Sequence, residues 1–218
     1  MIQQQASKIV ISFATVNIKH NFRFALIFQI FMRLHLCLIF LEKNAMKRNI
    51  KILLFCAISV VFISCDRVTK ELAKEHLKDK AALSFYHDTF RLDYVENKGA
   101  FLSFGDDWSD TTSFWLMNIL PLIFLIGLFV YALRKTATNT LLNMFPFLLI
   151  CAGGLGNIID RMMFNRHVTD FMNIGINNLR TGIFNFADVY VSAGAIMLLV
   201  FHWRNARKKE QLTSTVSN

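Results

Sequence analysis

Residues 141–161 read LLNMFPFLLICAGGLGNIIDR, an apolar run that closes on an amide, a carboxylate and a guanidinium. A hydrocarbon core of about 30 Å takes roughly 20 apolar residues in a helix. Leu141 to Ile159 is long enough to cross one despite Asn143 and Asn157. Working outward, three more runs meet the same test: Ile50 to Cys65 with its flanks, Ser113 to Leu133, and Ile183 to Trp203. The fold class expected is an all-α membrane protein with four transmembrane helices and a small β-rich extracytoplasmic cap.

Composition agrees. Hydrophobic residues make up 54% of the chain and charged residues 18%, below the roughly 25% of an average soluble domain. A net charge of +9 raises nucleic acid as a partner, but the basic residues sit at alternate ends of the apolar runs. Lys47, Arg48 and Lys51 precede the first run, Arg134 and Lys135 separate the second from the third, and Arg204, Arg207, Lys208 and Lys209 follow the last. The positive-inside rule makes these ends cytoplasmic, with both termini inside and two segments outside. The charge is thus a topology signal, and nucleic acid is set aside. Cys37, Cys56, Cys65 and Cys151 show no metal or redox spacing, and Cys56 and Cys151 read as apolar packing.

Residues 1–45 fit poorly with the rest. Asn21 to Leu41 is apolar but is interrupted by Arg23, Arg33 and His35, and a mid-helix arginine costs about 2.5–3.5 kcal/mol on insertion scales. Met46 opens Met-Lys-Arg-Asn-Ile-Lys ahead of an apolar run, a common beginning for a first membrane segment. The expected organisation is a spurious or disordered extension over 1–45, a four-helix membrane domain over 46–203 with the cap at about 81–108, and a cytoplasmic basic tail over 204–218. A fifth helix within the extension is the competing reading. The first run also imitates a lipoprotein signal peptide ending at Ile63-Ser64-Cys65. A processed lipoprotein would be soluble beyond that cysteine, whereas three more runs follow.

Asp66 to Lys80 reads as a polar continuation of the first helix. Phe90, Leu92 and Tyr94 alternate with Arg91, Asp93 and Val95, the period of a strand. Asn97-Lys98-Gly99 signals a turn, after which Ala100 to Phe104 can return as a second strand. A shorter strand is expected around Val168 to Phe171, a turn-rich stretch to Gly182, and disorder only in the last dozen residues.

Ionisable groups at membrane depth are costly and are functional candidates by default. Asp66, Asp160, Arg161, Asp170 and Asp188 all fall near the expected outer ends of helices. Asn185 and Asp188 are i and i+3 on one helical face. Gly153, Asn157, Asp160 and Arg161 share another, where the glycines allow close approach.

Gly153-Gly154-x-Gly156-Asn157-x-x-Asp160-Arg161, Val168-Thr169-Asp170-Phe171, Phe184-Asn185-x-Ala187-Asp188, Asp66-x-x-x-Lys70 and Asn97-Lys98-Gly99-Ala100-Phe101 occur together in one chain. With this topology, from about Met46 to Trp203, they resemble the lipoprotein signal peptidase (signal peptidase II) family. One departure is the span from Arg161 to Asp170, a residue longer than the family pattern, with Asn165-Arg166 at the insertion. The resemblance implies a membrane aspartic endopeptidase that cleaves prolipoproteins before the diacylglyceryl-modified cysteine, reached laterally from lipid. It implies a monomer in a bacterial inner membrane with its site near the outer face, prolipoproteins and membrane lipids as partners, and no metal or cofactor.

By that resemblance Asp170 and Asp188 are the catalytic pair. Two close carboxylates cannot both ionise, so they share a proton and offer acid and base together. The resemblance makes Asp66, Lys70, Asn97, Gly99, Gly153, Asn157, Asp160, Arg161, Phe184, Asn185 and Ala187 supporting or substrate-binding residues.

Plainer readings stand beside these. Asp160 with Arg161 reads first as a structural ion pair. Asp66 with Lys70 would stabilise a helix by a few tenths of a kcal/mol, or anchor a loop or substrate. Asn97 and Gly99 make a turn or grip substrate. Asn157 and Asn185 hold the substrate backbone, and His167 is a surface residue. A rival function is a small transporter or proton relay through the clustered carboxylates, which should then spread across the membrane's depth. Another is a non-catalytic scaffold assembled through the glycines.

Overall fold

The computed structural model describes residues 47–99, 104–136 and 140–216. The readings made for residues 1–45, Cys37 included, lie outside the described residues, as does most of the strand expected over Ala100 to Phe104.

Among the described residues, four helices are long and apolar enough to cross a membrane. α1 runs over Arg48–Leu77, and β1 (Leu83–Phe85) and β2 (Phe90–Asn97) follow it. α2 is Asp110–Lys135, α3 is Leu141–Met163, and β3 (Val168–Ile176) and β4 (Leu179–Arg180) lead to α4, Phe186–Val216. At 1.5 Å per residue α1 is about 45 Å long. Its apolar N-terminal part can span a hydrocarbon core of about 30 Å while its polar C-terminal end projects beyond it. α2 carries a π-helical stretch at Trp115–Ile119. Ser109 caps its start, accepting from the Thr112 N–H at 3.2 Å.

α3 is the most buried helix and packs against the other three. Its buried side chains are mostly aliphatic, with one aromatic cluster among them. Phe62 of α1 meets Phe145 of α3 and Tyr190 of α4, with ring centroids 6.1 and 4.8 Å apart. Gly153 has a positional reason: a Cβ there would lie 2.3 Å from the Ala187 carbonyl oxygen, so only glycine lets α3 and α4 approach this closely. Arg48 and Lys51 at the start of α1 donate to Thr136 at the end of α2. The first two basic clusters therefore lie at one end of the bundle.

The strands form a single antiparallel sheet in the order β1-β2-β3-β4. β2 pairs first with β1, the strand before it. β3 is longer than expected, because a strand bonded on both edges propagates through Asn173 and Ile174. Between β2 and β3 the register slips by one residue: Leu92 faces Met172, but Val95 faces Asp170 and Asn97 faces Val168. An extra residue in one strand turns every later side chain to the other face. The simple alternation of Phe90, Leu92 and Tyr94 therefore breaks after Leu92, and Asn97 joins the face that carries Asp170.

One expectation is corrected. Of the last dozen residues, those described, 207–216, are not irregular: α4 continues to Val216. Arg, Lys, Glu, Gln and Ala after Trp203 are good helix formers, and no glycine or proline interrupts them.

Candidate active site

At the end of the bundle opposite the Thr136 contacts, the C-terminal half of α1, the end of α3, the start of α4 and the sheet converge. Their side chains enclose a cavity of ≈ 40 Å³ lined by Asn97, Asn157, Arg161, Val168, Asp170, Ile183 and Asp188. A water needs about 10–15 Å³ of such space, so there is room for a reacting water.

Three asparagines hold the two carboxylates. Asn185 Nδ2 donates to Asp170 Oδ1 at 2.6 Å, while the Asn185 backbone N–H donates to Asp188 Oδ2 at 3.0 Å. Asn185 Oδ1 in return accepts the Asp188 N–H at 3.0 Å, a reciprocal cap on the first turn of α4. Asn157 Nδ2 donates to Asp188 Oδ1 at 2.8 Å, and Asn97 Nδ2 donates to Asp170 Oδ2 at 3.0 Å. Burial and the neighbouring Asp188 carboxylate push the Asp170 carboxyl up to about 7, and the two asparagine donors and the Lys70 charge offset this only in part.

A second group of charges lies behind the cavity, on the α1 side. Lys70 is fully buried, with Nζ 2.7 Å from Asp66 Oδ2 and 2.8 Å from Asp160 Oδ2. The Asp160 contact is ionic rather than a well-angled hydrogen bond. Lys70 also donates to Asn157 Oδ1 at 3.0 Å. Asp160 Oδ1 accepts from Arg67 at 3.0 Å, and Asp66 Oδ1 accepts the Ala187 N–H at 2.8 Å. The structural pair expected between Asp160 and Arg161 is thus replaced. Asp160 turns to Arg67 and Lys70 across the helix interface, whereas Arg161 Nη2 donates to the Gly99 carbonyl at 3.1 Å. Arg161 Nε is buried without a partner among the described residues.

Of the residues singled out in the sequence, Asn97, Asn157, Arg161, Asp170 and Asp188 meet at one cavity, and Asn185 bonds both carboxylates. Gly99 shapes the turn, its N–H donating to Asn97 Oδ1 at 2.9 Å. Phe184 acts through its backbone, exchanging hydrogen bonds of 2.8 Å with Met172. Gly153 and Ala187 are the close-packed contact between α3 and α4. His167 is half-buried, its Nδ1 on the Phe164 carbonyl. Sequence reasoning passed over Val168 and Ile183, whose apolar side chains carry no chemical signal. It also passed over Arg67, although that residue sits beside Asp66 in the same motif. Arg166, at the departure from the family spacing, donates to Ser113 Oγ at 3.0 Å and contacts Asp110, tying the loop after α3 to the start of α2.

Residues 58–204 match the family model described as signal peptidase (SPase) II. The chain belongs to the signal peptidase II family. It is 33% identical over 166 residues to the lipoprotein signal peptidase of Borrelia duttonii (strain Ly), covering 74% of this chain and 92% of that one. It is 32% identical to that of Pelodictyon phaeoclathratiforme, covering 68% and 89%. A solved bacterial membrane enzyme aligns with a TM-score of 0.60 at 27% identity, covering 71% of this chain and 90% of that structure. This signal peptidase II is therefore a multi-pass bacterial membrane protease that removes signal peptides from prolipoproteins, and a transporter is not favoured.

Proposed function

We propose that this signal peptidase II is an aspartic endopeptidase whose reacting pair is Asp170 and Asp188. The observation that carries the reading is the raised, buried carboxyl of Asp170 beside Asp188 at a water-sized cavity, with asparagine donors on both. Amide hydrolysis without a covalent intermediate needs one group to take a proton from water and another to polarise the carbonyl. In the proposed resting state the pair holds one proton between them. The ionised carboxylate takes a proton from the attacking water, and the protonated one donates to the carbonyl oxygen. The tetrahedral intermediate then collapses as a proton passes to the leaving amine. Arg161, which lines the cavity, would meet a substrate carbonyl.

The scissile bond in this reading is the one before the diacylglyceryl-modified cysteine, and the acylated substrate enters from lipid. The sheet is then an outer cap, both termini are cytoplasmic, and the working unit is residues 46–203 acting as a monomer in the inner membrane. The carboxylates support this over a relay across the bilayer, since they cluster at one end of the bundle. Cleavage of a diacylated and an unacylated prolipoprotein by purified protein, with and without chelator, tests the reading. Chelator-insensitive cleavage of the diacylated form is expected. Loss of cleavage with chelator, or equal cleavage of both forms, would overturn it.

A further inference from the structure

We propose that Lys70 is a positioning residue for peptide cleavage, fixing which way the amide of Asn157 faces Asp188. The inference rests on reading Asp188 as a reacting carboxylate. It starts from the chemistry of the ammonium group, which has three donors and no acceptor. Nζ lies 2.7 and 2.8 Å from Asp66 Oδ2 and Asp160 Oδ2, ion-pair contacts that balance its charge, and it donates to Asn157 Oδ1 at 3.0 Å. An asparagine amide in isolation can sit either way round. Here its oxygen must face Lys70, and its nitrogen is left to donate to Asp188 Oδ1 at 2.8 Å. Turning the amide over would set NH₂ against an ammonium and oxygen against a carboxylate, two repulsions in a water-poor site. Asn185 Nδ2, 3.3 Å from Asn157 Oδ1, favours the same orientation.

A helix-stabilising role does not account for the burial. An i,i+4 pair gives its few tenths of a kcal/mol on an open surface, whereas Lys70 and Asp66 are both almost wholly removed from solvent. Burying an ammonium is costly unless every donor is met. Two carboxylates meet the charge, and the third donor is directed at the amide that touches Asp188. Arg67 on Asp160 brings the group of Asp66, Arg67, Lys70 and Asp160 to charge balance. Asp66 adds a second link by accepting the Ala187 N–H, one residue before Asp188.

The test is a kinetic cycle on the full chain in lipid, with a diacylated prolipoprotein as substrate. Lys70→Met alone would strand a buried carboxylate, so it is combined with Asp66→Asn. That substitution keeps an acceptor for Ala187 and leaves Asp160 balanced by Arg67. The expected result is kcat lowered about tenfold to a hundredfold, the range seen when an outer partner orienting an active group is lost, with KM little changed. Lys70→Gln with Asp66→Asn restores a neutral donor toward Asn157 and should recover part of kcat. In an Asn157→Ala background, adding Asp66→Asn and Lys70→Met should slow kcat no further.

A folded Met variant with wild-type kcat overturns the inference, as does a Gln variant no better than Met, or full additivity with Asn157→Ala. Should the Met variant fail to insert, the Gln variant in the two Asn157 backgrounds completes the same cycle. Cleavage by Asp188→Asn, a separate variant, would overturn the aspartyl reading itself.

Discussion

Asn185 Nδ2 donates to Asp170 Oδ1 over 2.6 Å, joining the residue just before α4 to the middle of the sheet. Through this bond and its backbone contact with Asp188, one asparagine sets the relation between two carboxylates that are 18 positions apart in the chain. If the pair acts as a unit, losing either member loses the reaction.

Asp170→Asn and Asp188→Asn are each expected to lower prolipoprotein cleavage by about a thousandfold or more at equal amounts of inserted protein. The double variant should be barely worse than either, because residues acting together are strongly non-additive. Asparagine keeps the size and hydrogen-bonding shape, so membrane insertion should survive. Substantial cleavage by either single variant would refute the assignment.

The pH dependence follows from Asp170. Its carboxyl is pushed up to about 7, so the one-proton form of the pair is lost as pH rises through about 7 and kcat should fall there. The Asn97 hydrogen bond favours the charged form, and removing it raises the value further. Asn97→Ala should therefore move the alkaline limb to higher pH, and a shift downward would contradict the role given to Asn97.

Stability gives an independent reading of the same group. A folded value above the unfolded one of about 3.9 means that folding takes up a proton between the two. This contribution is complete below the unfolded value and is lost as pH rises through about 7. Asp170→Asn has no charge to bury and should melt higher than wild type at pH 8, by about 2–4 °C for each 1 kcal/mol relieved. Equal melting at pH 8, or lower melting of the variant, would mean that Asp170 ionises freely in the fold.

Asp160 is bonded to Arg67 and Lys70, and removing one member of a buried ion pair costs about 3–5 kcal/mol. Asp160→Ala should lower the melting temperature and the inserted yield, with the milder Asp160→Asn retaining cleavage in its folded fraction. A well-folded but inactive Asp160→Asn protein would extend the reacting group beyond Asp170 and Asp188.

The proposed topology can be tested at Asp107, which is exposed just before α2. Ser109 caps that helix and is better left intact. With native cysteines masked, Asp107→Cys should react with an impermeant thiol reagent on intact spheroplasts. Labelling only after lysis would place this end of the bundle in the cytoplasm.

The four spans, the alternation of basic clusters and the family motifs were legible in the sequence. Run length, charge position and local spacing are one-dimensional quantities, and bilayer thickness converts them directly into helices. What Asn97 faces was not legible. The single-residue slip between Leu92 and Val95 appears only when β2 pairs with β3, and it alone turns Asn97 toward Asp170. The partners of Asp160 were hidden for a related reason. Adjacency in the sequence suggested Arg161, but neighbouring residues on a helix point about 100° apart, and the rotation of α3 against α1 decides which cation each one meets. The direction of the Asn157 amide is a tertiary fact in the same way. Composition can require that a buried amide be bonded, but only the packing of α1 against α3 puts an ammonium on its oxygen and leaves its nitrogen for Asp188.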